Sequence, residues 1–188
     1  KHLSVIGVLG GIAGNLDQIL LFHYVGAAEL AIYNFATAIL DQTGGPFKTF
    51  TSMIIVQYAK HTDKNIENSI WNKALWLLAL SIVVIAIYIP LAPFLYRVLF
   101  PGFISAVPYS QIYALSLVSQ VFVPFGAYLA AKRKIKEQYI SSIVSYSMQI
   151  LFMAGGVILW GLWGLIWARV ITRILGVSVN YVLYKTLK

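Results

Sequence analysis

The chain has 188 residues, of which 60% are hydrophobic and only 11% charged, and its mean hydropathy is +0.79. An ordinary soluble domain is roughly 45–50% apolar and about 25% charged, so a water-soluble enzyme and a disordered segment are both excluded. Lys and Arg number 14 against 6 Asp and Glu, and Cys is absent, which removes disulfides, thiol catalysis and Cys-metal sites and, in so apolar a chain, makes the basic excess a topology signal before a nucleic-acid one.

Crossing about 30 Å of hydrocarbon takes about 20 mostly apolar residues. Six stretches qualify: 3–25, 29–59, 71–97, 107–131, 139–160 and 162–184. Runs this long are not the roughly ten-residue alternating strands of a membrane barrel, so the expected fold is an all-α bundle of six transmembrane helices. The chain opens on Lys1, already beside an apolar run and without a cleavable leader pattern, which reads as a piece of a longer protein.

The first break is Val25 to Glu29, and the second is Lys60 to Ile70. Within the second span Gly44-Gly45-Pro46 reads as an interruption, as do Pro90 and Pro93 in the third and Pro108 and Pro124 in the fourth. Proline removes a backbone donor and crowds the preceding turn. In lipid such breaks survive only where neighbours or a wet cavity satisfy the freed groups. The third break runs Phe100 to Val107, the fourth is Lys132 to Gln138, and Trp160-Gly161-Leu162-Trp163-Gly164 is a tight uncharged turn. With six spans, Lys1, Lys60, Lys64, Lys73, Lys132, Arg133, Lys134, Lys136, Lys185 and Lys188 collect on one side, against Arg97 on the other. That asymmetry predicts a cytoplasmic location for the basic side and both chain ends. Trp71, Trp76, Trp160 and Trp163 near span ends read as interfacial anchors. Gly7 with Gly11, and Gly10 with Gly14, give the spacing of close helix packing.

Five charged residues lie at depth: Asp17, Asp41, Lys48, Arg169 and Arg173. Each costs roughly 2.5–3.5 kcal/mol at the centre of a span, so none is expected to face lipid. Tyr33 and Thr37 precede Asp41 by eight and four residues and share its face, as Arg169 and Arg173 share theirs with Asn180. Arg173 falls about 16 Å into the last span at 1.5 Å per residue. Two readings follow. One is a pair of internal salt bridges that fix helix register. The other, which the excess of three bases over two acids favours, is a hydrated cationic cavity. Polar stripes at Tyr113, Ser116 and Gln120 and at Ser142, Ser145 and Gln149 are expected to face the same interior. Catalytic signatures are lacking: no Walker lysine loop, GxSxG or HExxH is present, and His2, His23 and His61 stand near span ends or loops.

Asn15-Leu16-Asp17-Gln18-Ile19-Leu20-Leu21, followed by Val25-Gly26, Glu29-Leu30 and Ile32-Tyr33-Asn34-Phe35-Ala36, resembles the start of the second half of bacterial polysaccharide (O-antigen type) flippases, in the multidrug/oligosaccharidyl-lipid/polysaccharide exporter superfamily. Ala92-Pro93 through Leu99-Phe100-Pro101-Gly102-Phe103 resembles the family's outer hairpin, and Gly161-Leu162-Trp163-Gly164 the turn before its twelfth helix. The resemblance covers essentially the whole chain. It implies helices seven to twelve of a two-bundle transporter, with the N-terminal half elsewhere in the same protein. The implied substrate is a polyprenyl-pyrophosphate-linked oligosaccharide, moved between leaflets of the bacterial inner membrane without direct use of ATP, an ion gradient being the implied driver. Membrane lipids are the other expected partner, and neither a nucleic acid, a cofactor nor a metal is expected. Arginine binds phosphate oxygens through forked, charge-assisted bonds. The expected substrate-binding residues are therefore Arg169, Arg173 and Lys48, with Asp17 and Asp41 orienting them and Gln120 and Gln149 facing sugars.

Three other classes compete. A cation-coupled exporter of the same superfamily would favour acids over bases in its cavity. A membrane-embedded enzyme would group acids or histidines in a substantial aqueous loop, whereas the loops here are short. A non-transporting scaffold would not need five charges at depth.

Overall fold

The computed structural model describes residues 14–42, 44–60 and 63–187, apart from the side chains of 44–48, 60 and 63–67. Every regular element among these residues is helical, in the order α1 (14–24), α2 (Ala27–Gln42), α3 (Gly44–Lys60), α4 (Asp63–Leu99), α5 (Val107–Ala114), α6 (Val123–Ala131) and α7 (Ile135–Thr186). Tighter 3-10 turns at Pro101–Ala106 and Leu115–Phe122 make 101–131 one continuous helical traverse. Three stretches are long and apolar enough to cross a membrane: Asn68–Leu99, Pro101–Ala131 and Ile135–Thr186.

Between Ala74 and Tyr96 α4 carries no charged residue on any side. Its inward stripe is Ile70, Ala74, Leu77, Ser81, Tyr88, Ala92 and Tyr96, all buried, while Leu75, Ile82, Val83, Ile87, Leu91, Phe94 and Val98 are exposed along the other face. A soluble monomer rarely exposes a contiguous apolar patch beyond a few hundred Å². A face this long has the character of a surface solvated by lipid.

The breaks differ from expectation in instructive ways. The interruption near Gly44-Gly45-Pro46 falls just before it: α2 closes at Gln42 and α3 opens at Gly44. Pro46 thereby occupies the first turn of a new helix, where its missing N–H costs nothing. The polar stretch from Lys60 to Ile70 is not a loop throughout, since α4 begins at Asp63; residues 61 and 62 lie outside the described set.

Pro90 and Pro93 do not break α4. Pro93 leaves the Ile89 carbonyl without its helical partner, and Gln111 Nε2 of α5 donates to that oxygen at 2.8 Å. Replacing Gln111 with Leu orphans the carbonyl and is expected to cost about 1–3 kcal/mol. Thermal unfolding in detergent checks this, with Pro93→Ala as the partner change that restores the helical bond and should recover most of the loss. Pro124 is accommodated differently. The 3-10 turn at 115–122 lets the Val123 N–H take the Gln120 carbonyl that an α-helical residue 124 would otherwise have bound.

α7 is a hairpin. At Gly161 the backbone takes φ 55° and ψ −132°, a region open essentially to glycine alone, and the arms 135–160 and 162–186 fold back on each other. Ser145 Oγ donates to the Gly176 carbonyl at 2.9 Å and Ser141 Oγ to Asn180 Oδ1 at 2.8 Å. Nearer the turn, Gly156 and Gly164 bring backbone against backbone; a Cβ on Gly156 would stand 2.6 Å from the Gly164 carbonyl oxygen. The fifth and sixth expected spans are thus joined by a one-residue turn.

Successive traverses alternate in direction. The turns at Gly26, Phe100 and Gly161 share one end, where Gly161 faces Val25, the Phe35 ring stacks on Phe103 at 3.7 Å and Tyr109 meets Trp163 at 4.5 Å. The 132–134 turn and the end of α7 share the other, where Tyr128 packs on Tyr184 at 5.1 Å. At that end stand Lys132, Arg133, Lys134, Lys136 and Lys185, and Arg133 closes α6 with a left-handed φ of 51°. Arg97 ends α4 at the opposite end. Trp71 and Trp76 are exposed toward the basic end and Trp160 and Trp163 toward the other.

Candidate functional site: a twinned ion-pair network beside a polar cavity

Four of the five charged residues expected at depth meet in one place. Asp17 projects from α1, Asp41 from α2, and Arg169 and Arg173 from the second arm of α7. Asp17 is fully buried. An ionised carboxylate there survives only if paired and hydrogen-bonded. Arg169 Nη1 forms an ion pair with Asp17 Oδ2, and Tyr33 ties the two together, its hydroxyl donating to Asp17 Oδ2 and accepting from Arg169 Nη1.

One helical turn on, the same unit recurs. Tyr113 donates to Asp41 Oδ1 at 2.7 Å and accepts from Arg173 Nη1 at 2.6 Å, and Arg173 stands 3.5 Å from Asp41 Oδ1. Arg169 Nη2, 3.7 Å from Asp41 Oδ2, links the two triads. The Arg169 guanidinium lies 5.5 Å from the Tyr33 ring and 5.7 Å from the Tyr113 ring, so aromatic faces supply further cation stabilisation.

The triads differ in their contact with solvent space. The Asp17 side chain is 1% exposed and the Asp41 side chain 40%. Asp41, Tyr113, Arg169 and Arg173 form the wall of a cavity of about 430 Å³, whose other walls include Ser142, Ser145, Gln149 and Asn180 from the two arms of α7. Ten of its fifteen lining residues carry a hydroxyl, amide or guanidinium, and its volume falls in the usual range for small-molecule sites, about 300–1,000 Å³.

The expected residues divide accordingly. Arg169, Arg173, Asp41 and Gln149 line the cavity, and Asp17 sits behind the wall holding Arg169. Lys48 lies in the first turn of α3, and its side chain is outside the described residues, as are Gly7, Gly10 and Gly11; Gly14 borders the cavity. Gln120 does not line the cavity but is buried in the 3-10 turn. A 3-10 helix advances about 120° per residue where an α-helix advances 100°, so between 115 and 120 the stripe begun at Tyr113 drifts by about 100° and turns away. Ser116, on the same turn, is also buried away from the cavity. The expected excess of positive charge depends on Lys48, whose side chain is outside the described residues; the four described charges are two acids and two bases, mutually paired.

The two tyrosines are the site residues that composition hides. Tyr33 carries the signal of sharing a face with Thr37 and Asp41; Tyr113 carries none beyond its place in a polar stripe. No protein-family model, curated protein or solved structure matches the chain.

Proposed function

We propose that the chain forms part of a membrane flippase, moving a polyprenyl-pyrophosphate-linked oligosaccharide from the cytoplasmic to the periplasmic leaflet by alternating access. In this reading the six expected spans are one half of the transporter, and the basic end of the bundle faces the cytoplasm. The observation that carries it is the asymmetry of the twin triads. Asp17 holds Arg169 from behind, whereas Asp41 is half-exposed and 3.5–3.7 Å from both guanidinium groups. Asp41 is then the resident counter-ion that a diphosphate displaces, and the two arginines, one turn apart, become its fork. Ser142, Ser145, Gln149 and Asn180 offer neutral donors and acceptors to the first sugars.

The pairing of both arginines with acids favours one competing reading. With both arginines neutralised, the cavity also suits a cation-coupled exporter, in which Asp41 binds the cationic solute. Proteoliposomes separate the two. A fluorescent polyprenyl-diphosphate oligosaccharide should become accessible to an impermeant quencher faster with the intact protein than in empty liposomes. Exchange no faster than in empty liposomes, together with uptake of cationic dyes, would overturn the flippase reading.

A further inference from the structure

Away from the cavity, and sharing no residue with it, a notch of about 520 Å³ opens between α3 and α4 toward the basic end of the bundle. Its lining is Phe50, Ser69, Asn72, Lys73 and Trp76. The Phe50 and Trp76 rings stack at 5.5 Å and 29°, forming one apolar wall. Lys73 is set in position from two sides: its Nζ donates to Gln57 Oε1 at 2.5 Å and lies 4.5 Å from the centre of the Tyr58 ring. An ammonium has three donors, and Gln57 takes one.

A lysine near the polar end of a membrane helix normally reaches along the helix into water. Here the ammonium is tethered beside a hydroxyl, an amide and an aromatic wall. This is the composition a phospholipid needs at the boundary between headgroup and acyl chain: one fixed cation and neutral donors for the phosphate, then flat apolar surface for the first methylenes. Charge complementarity selects an anionic lipid. Among the described side chains at this end, Lys73, Lys132, Arg133, Lys134, Lys136 and Lys185 stand against Glu137, and juxtamembrane bases of this kind attract anionic leaflets.

We propose that this notch binds an anionic glycerophospholipid of the adjoining leaflet, its phosphate on Lys73 and its proximal acyl chain along Phe50 and Trp76. The site is independent of the transport substrate and holds whichever molecule the cavity carries.

The test is native mass spectrometry of the full chain titrated with phosphatidylglycerol or phosphatidylcholine. Phosphatidylglycerol should bind at least tenfold tighter, and Lys73→Gln should weaken it about fivefold, the value of one surface base near an anionic headgroup. Should Lys73→Gln fold poorly, Trp76→Ser, which keeps the cation and removes the wall, should also lower phosphatidylglycerol binding. Lys136→Gln, outside the notch, should weaken it less than Lys73→Gln does. The proposal is overturned if phosphatidylcholine binds equally well, if Lys136→Gln matches Lys73→Gln, or if millimolar inorganic phosphate displaces the lipid, which would make the notch a site for a free anion.

Discussion

Replacing Asp17 with Ala is expected to destabilise the protein by about 3–5 kcal/mol, the usual consequence of removing one partner from a buried ion pair. The carboxylate is fully buried and serves both Arg169 and the Tyr33 hydroxyl, so its loss strands a cation and a phenol together. Thermal unfolding in detergent should show a midpoint lower by on the order of 10 °C. The double replacement Asp17→Leu with Arg169→Met removes both charges. Apolar pairs of similar volume often match or exceed buried ion pairs in stability, so most of the loss should return. If the single variant unfolds at the wild-type temperature, the inner triad is not a structural tie.

The outer triad should behave in the opposite manner. Arg173→Gln is expected to leave stability nearly unchanged, because its carboxylate partner is 40% exposed and already screened by solvent. Translocation of the lipid-linked oligosaccharide should fall about 10- to 100-fold, the worth of a charge-assisted hydrogen bond of roughly 1.5–3 kcal/mol. Arg173→Lys should recover only part of this, since it keeps the charge and loses the fork that reaches both Tyr113 and a phosphate. Asp41→Asn provides the sign test. With the resident counter-ion neutralised, the apparent affinity for the diphosphate should rise. Wild-type transport by Arg173→Gln, or weaker substrate binding by Asp41→Asn, would refute the displacement mechanism.

The features legible in the amino-acid sequence and those hidden in it divide along a physical line. Ionisable groups inside apolar runs announce themselves by the cost of burying them, which is why Asp17, Asp41, Arg169 and Arg173 are conspicuous from sequence alone. Periodicity then says which of them share a helix face. It does not say which helix supplies the partner, because pairing across helices depends on packing between segments more than a hundred residues apart. The roles of the tyrosines stay hidden for a related reason: Tyr33 shares a face with Asp41 and Tyr113 opens a polar stripe, but neither position says that its hydroxyl bridges a carboxylate to a guanidinium. Gln120 fails for a local reason, the change of helical pitch that Pro124 brings with it. The same blindness makes Pro93 look like a break, since nothing in the sequence links Gln111 to the Ile89 carbonyl.

The inner triad also constrains how the bundle is made. Tyr33 and Arg169 are 136 residues apart, and Asp17 lies further still toward the start of the chain. During synthesis α1 and α2 are made long before the second arm of α7 exists. Until then Asp17 lacks the guanidinium that pairs with it in the folded bundle. The arm carrying Arg169 and Arg173 faces the converse problem, two cations costing roughly 2.5–3.5 kcal/mol each if inserted alone. Arriving as a hairpin already zipped through Ser141, Ser145, Gly156 and Gly164, it delivers both cations directly to the waiting acids. The arm carrying Arg169 and Arg173 is therefore the keystone of the described bundle, and variants that lack it should be cleared by membrane quality control even though α1 to α6 are intact.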